Sequence, residues 1–207
     1  EDFTNHDQIL NSSARHRRGR DLVRRAGMRD WDEGVLLLVA GALIGLIGGL
    51  AVVGFYGLID LAYLAFVSWP RSVIGPIGAA LYLPALTGLG IWAAWFLVRR
   101  TKTPEGQNVA DVQLDVAKRH GVVRTRPVVV RTLASAITLG SGGSAGSEGP
   151  VAVLGAAVGS AFGRVMRLQP RHVKILVGCG AAAGIAGAFN APFAGAFFAR
   201  EEVLGSF

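Results

Sequence analysis

The chain has 207 residues, 51% of them hydrophobic and only 17% charged, with 29 glycines and a formal net charge of +7. An average soluble protein carries about 25% charged residues, so an ordinary soluble enzyme and a disordered tail are both excluded. A disulfide scaffold is excluded by the single cysteine, Cys179, and collagen by glycines that show no three-residue period.

Residues 1–30 form a polar lead-in that carries Arg15, Arg17, Arg18, Arg20, Arg24, Arg25 and Arg29. A second basic cluster, Arg99, Arg100, Lys102, Lys118, Arg119, Arg124 and Arg126, follows two apolar runs. The first run, Gly34 to Ile59, is free of charge for 26 residues, and the second, Ser72 to Val98, for 27. Each exceeds the roughly 20 residues that cross a hydrocarbon core. Only a short link with Pro70 and Arg71 separates them. If one run leads out and the other back, both basic clusters fall on the same side, which the positive-inside rule makes cytoplasmic. A nucleic-acid partner is not expected, because neither a folded soluble face nor interleaved aromatics accompany the basic residues. The lead-in holds five acidic residues and no apolar core, so no secretory signal is read in it. Gly41, Gly45 and Gly49 recur every fourth residue and are expected to let a neighbouring helix approach closely.

Beyond Thr101 the pattern changes. Thr103 to Gly121 reads as a polar loop with a short helix near Ala110 to Ala117. Apolar pieces follow at Pro127–Leu139, Val151–Phe162, Ile175–Phe189 and Ala191–Ala199, each of 9 to 15 residues and too short to span a bilayer singly. They read as broken helices, interrupted at Gly140–Pro150 and at Asn190 and Pro192. Interruptions at membrane depth are tolerated where backbone is buried in protein or lines a polar cavity.

Glu148 lies in the first of these breaks, flanked by Gly146, Ser147, Gly149 and Pro150. Pro150 suits the first turn of a helix, which places Glu148 beside free backbone amides at a helix start. Such amides and the positive end of the helix dipole bind anions without a full positive charge. A carboxylate there can occupy the anion site itself and be released by protonation. A capping glutamate is the plainer reading, but carboxylates within a membrane are costly and are functional by default. Glu201 and Glu202 follow the last apolar piece, where an acidic pair can simply face water.

These residues resemble the CLC family of chloride channels and proton-coupled chloride antiporters. Gly146-Ser147-Glu148-Gly149-Pro150 is similar to the family motif G(K/R)EGP, and Ala181 to Pro192 with Phe193-Ala194-Gly195 and Glu201-Glu202 to the next helix pair. Gly106 to Val112 falls where the family has GSGIP and an acidic residue. The likeness covers most of residues 31–203. It implies an all-α polytopic membrane protein with tilted and broken helices, residues 31–207 forming the first half of an inverted repeat, and a homodimer in the cell membrane with a cytoplasmic N-terminus. It further implies chloride or another small anion as substrate, with protons as the second. In this likeness Glu148 is the gating and proton-transfer glutamate and Glu202 the internal proton glutamate of antiporters. Gln107, Gly146, Ser147, Gly149 and Pro150 belong to the anion site. Two departures bear on the substrate: Ser147 stands where the family has a basic residue, and Gln107 replaces a serine, with Asn108 and Ala110 in place of Gly and Pro. A passive channel, a carrier for nitrate or fluoride, and a non-transporting membrane subunit are the alternatives.

An enzyme is not expected. Ser141 and Ser144 lie in an apolar region, but His6, His16, His120 and His172 all lie in polar segments, away from any serine they would have to activate. No His, Cys or carboxylate cluster has metal-ligand spacing, and no cofactor is implied.

Overall fold

In hydrocarbon an apolar stretch must satisfy its own backbone, and a helix does so within one segment. The computed structural model describes residues 33–102 and 108–205, and all regular structure among them is helical. The basic lead-in of residues 1–30 and Gln107 lie outside the described residues. Helix α1 spans Glu33–Tyr63 and contains the first charge-free run. A π-helical turn, Leu64–Ser68, passes into α2, Trp69–Arg100, which contains the second. The short link expected between the runs is thus itself helical. The break comes at Gly75, whose φ of 78° and ψ of 170° form a backbone state open to glycine and closed to other residues. From Gly75 to Trp95 the helix rises roughly 30 Å, the thickness of a hydrocarbon core. At its far end Trp92 stacks on Phe96 with ring centroids 5.5 Å apart, and the Arg99 guanidinium lies 4.9 Å from the Trp95 ring centre. Aromatics with a basic residue just beyond them mark a membrane interface.

The remaining elements are α3 (Val109–Lys118), α4 (Thr125–Gly140), α5 (Glu148–Val165), α6 (Pro170–Phe189), α7 (Pro192–Phe198) and a second π-helical turn, Ala199–Val203. Both interruptions fall where the sequence places them. Asn190 closes α6 in the left-handed conformation, φ 52° and ψ 36°, which asparagine tolerates, and Pro192 opens α7. The helices themselves are longer than the apolar pieces, because each begins in polar residues. Helix α6 takes in Arg171, His172 and Lys174 before its apolar part. At 20 residues it is itself long and apolar enough to cross a membrane, contrary to the expectation for Ile175–Phe189.

Helices α5 and α6 cross antiparallel, with backbone against backbone. A Cβ on Gly155 would run into the Gly180 carbonyl and one on Gly180 into the Gly155 carbonyl, while Gly159 and Gly184 abut the carbonyls of Leu176 and Val151. The core around this crossing is made of small residues, among them Val153, Ala156, Ala157, Val177 and Ala181. Helix α1 packs on α6 through Ala40, Ile44, Gly48 and Val52. The glycine stripe expected from the sequence is therefore displaced. Gly41 and Gly48 meet Cys179 and Ala183, whereas the space beside Gly45 and Gly49 is open. Bulky residues point outward instead: Leu38 is 75% exposed, Val53 68% and Trp69 67%. Small residues within and large ones without is the arrangement of helices whose solvent is lipid.

One buried hydroxyl ties α5 to the turn before α4. Ser160 donates to the Gly121 carbonyl at 2.7 Å and accepts from the Val123 amide at 2.9 Å. Gly121 has φ of +80° and lies under α6, where a Cβ would sit 3.3 Å from the Lys174 nitrogen. Ser160→Ala removes two buried hydrogen bonds at about 0.5–1.5 kcal/mol each and leaves the Val123 amide and the Gly121 carbonyl only their mutual bond of 3.2 Å. We expect a lower thermal unfolding midpoint in detergent, and an unchanged midpoint would mean that the hydroxyl adds nothing to the tie between α5 and this turn.

Candidate anion site

Helix α5 begins at Glu148, with Ser147 as its N-cap and Pro150 in its first turn. Ser147 makes no side-chain cap, so the first-turn amides of Glu148 and Gly149 have neither an intrahelical acceptor nor a serine hydroxyl. The Glu148 side chain is exposed and folds back so that Oε2 lies over the α-carbon of Gly146, in the space a Cβ would fill. Any other residue at 146 would displace that carboxylate. No hydrogen bond or ion pair holds it among the described residues. Gly146, Ser147, Glu148, Gly149 and Pro150 are thus brought together at one helix start, as the sequence implied.

Gly149 and Pro150 form part of the wall of a cleft of about 410 Å³ between α2, α4 and α5. Trp95 and Ile91 give it an apolar side, while Arg131, Thr132 and Thr138 of α4 give it a polar one. Asn108, at the start of α3, closes the end. The start of α5 and Arg131 therefore share one space, which favours negative charge. The start of α3 is a capping box. Asn108 Oδ1 accepts from the Asp111 amide at 3.1 Å, and the Asn108 amide donates to Asp111 Oδ2 at 3.0 Å. Asn108, read in the sequence only as a departure from glycine, is the residue that caps this helix.

Glu202 lies elsewhere, in the second π-turn, and is exposed. Gln113 of α3 donates its amide to the Glu202 backbone carbonyl and, at 3.3 Å, to Glu202 Oε2. The structure does not bring Glu202 against Glu148. Ala152 and Val153, one turn along from Glu148, and Val203, next to Glu202, pack closely together with Val109, Val112 and Ala181.

Arg131 and Gln113 are the site residues that the sequence reading missed. Arg131 had a signal, since it is the one charged residue within Pro127–Leu139. Gln113 had none, because its partner is 89 positions away. Ser141 proves to be a buried helix-end residue that donates to the Thr138 carbonyl at 3.0 Å, while its own carbonyl accepts from Thr87 at 2.7 Å.

Known proteins share this arrangement of sequence. The profile of the voltage gated chloride channel family matches residues 89–207. The chain is 35% identical over 180 residues to a putative chloride channel protein ClcB-like of Ralstonia nicotianae, covering 83% of the chain and 41% of that protein. It is 32% identical over 208 residues to the H(+)/Cl(-) exchange transporter ClcA of Salmonella arizonae, covering 93% and 41%. With the chloride channel protein CLC-e of Arabidopsis thaliana it shares 29% over 181 residues, covering 82% and 24%. The chain thus spans about two-fifths of the bacterial relatives it matches. Its all-helical fold, its long apolar α1 and its matched residues agree: this integral membrane protein belongs to the voltage-gated chloride channel family.

Proposed function

We propose that the protein carries chloride across a membrane in exchange for protons, with Glu148 as gate and outer proton acceptor and Glu202 as inner proton acceptor. The observation that carries this reading is Glu148 as the first residue of α5, at a helix start that shares a cleft with Arg131 and the start of α3. An anion drawn to the cleft meets amide and hydroxyl donors and a guanidinium, a field that attracts it without trapping it. When ionised, the Glu148 carboxylate competes for the same positive helix end. When protonated, it has no such claim and leaves the site to the anion. One group thereby links occupancy by an anion to occupancy by a proton.

Arg131 supports anion selection at a point where Ser147 contributes no charge. Glu202 supports exchange over passive conduction, since a second carboxylate on another face gives protons a separate entry. The homodimer and the cytoplasmic N-terminus that the resemblance implies belong to this same proposal.

The test is the complete gene product in liposomes, with an imposed chloride gradient, external pH recorded, and nitrate and fluoride in parallel. Proton movement driven by the chloride gradient supports exchange. Anion flux without protons replaces it by the channel reading, preference for nitrate or fluoride replaces the substrate, and no flux of any anion favours a non-transporting subunit. Glu202→Gln, which keeps the shape and removes the titration, is expected to lower proton flux about a hundred-fold while anion flux persists. Equal losses of both would remove Glu202 from the proton route.

A further inference from the structure

The contact between Gln113 and Glu202 joins two elements far apart in sequence, α3 and the second π-turn. A side-chain amide has two N–H donors. Here one goes to the Glu202 backbone carbonyl and the other to Oε2, at 3.3 Å. The carbonyl lies in the last turn of its helix, where carbonyls lack an intrahelical donor. A helix cap would need only that first bond. The second fixes the carboxylate itself, on an exposed glutamate whose side chain would otherwise rotate freely. π-Helical turns occur often at functional sites, and this one sets the Glu202 side chain toward α3.

We infer that Gln113 is a positioning residue for proton transfer at Glu202, holding one carboxylate oxygen so that the exposed carboxylate keeps a single orientation while Gln113 adds no titratable group. The inference rests on the proposed role of Glu202. A carboxylate held in one orientation delivers its proton along one path, and one that swings free does so in a fraction of its conformers. Gln113 touches neither anion nor proton, and acts through Glu202 alone.

Gln113→Met keeps the length of the side chain and removes both donors. In liposomes it is expected to lower the ratio of protons to chloride moved by about ten-fold, the equivalent of one hydrogen bond to a charged group, with chloride flux within about two-fold of the parent. Gln113→Asn, one methylene shorter, is expected to lower the same ratio and serves where the methionine variant does not fold. A parental ratio in a folded Gln113→Met or Gln113→Asn protein overturns the inference, as does a parallel fall of both fluxes, which is the mark of a helix cap. Glu202→Gln in the same assay separates the two ideas: if it abolishes proton movement while Gln113→Met does not alter the ratio, only the positioning role falls. If Glu202→Gln moves protons normally, the proton role of Glu202 falls and the positioning role with it.

Discussion

Glu148→Gln is expected to abolish proton movement driven by a chloride gradient while leaving chloride movement intact. The substitution keeps the length and shape of the side chain and the start of α5. It removes the one property that the proposed gate requires, a negative charge that disappears on protonation. A neutral amide competes weakly at the positive end of a helix dipole, so chloride flux should equal or exceed that of the parent and lose its dependence on pH. The expected fall in proton flux is about a hundred-fold or more, read with a pH electrode beside a chloride electrode on the same vesicles. Coupled proton movement that persists in Glu148→Gln, with its pH dependence unchanged, would assign the proton to another group.

Gly155→Val is expected to prevent correct folding. Overpacking a core typically costs about 1–3 kcal/mol because side chains can shift. Here the new atoms meet the Gly180 carbonyl, part of a helix that is itself pinned at Gly184 and Leu176, and nothing flexible is in the way to move. The cost should exceed that range, and Gly180→Val should match it because the contact is reciprocal. Gly54→Ala on α1 is the control, since its Cβ would meet open space and alanine favours a helix over glycine by about 1 kcal/mol. Size-exclusion profiles and thermal unfolding in detergent read both. A Gly155→Val protein as stable as Gly54→Ala would mean that α5 and α6 do not cross this closely.

Several features were legible in the sequence for physical reasons that act locally. Two long charge-free runs can be satisfied only as helices, and the breaks at Gly140–Pro150 and at Asn190 are written in residues that stop helices. Pro150 after Glu148 announced the start of α5. Where the reading failed, a non-local fact decided. Apolar runs alone underestimated α6, because Arg171, His172 and Lys174 extend its first turns into a polar boundary. The glycines at 41, 45 and 49 share a period but not a neighbour, since the face of α1 that meets α6 is set by Ala40, Ile44, Gly48 and Val52. Arg131 reads as an anomaly within an apolar segment until the start of α5 and Asn108 are seen across the cleft. The pairing of Gln113 with Glu202 comes from tertiary packing, and no pattern along the chain carries it.

The close crossing of α5 on α6 also bears on how fast a gate at Glu148 can work. A helix whose backbone rests directly on another backbone has no side-chain layer to slide upon, so tilting α5 would break the packing of its whole length. If Glu148 is the gate, as proposed, opening is thereby confined to the few torsions of its side chain. Rotations of that kind in exposed residues take picoseconds to nanoseconds, whereas collective helix or domain motions take microseconds to milliseconds. The swing is never the slow step. In the proposed exchange, the pace of turnover then belongs to the arrival of ions and protons rather than to any rearrangement of α5 against α6.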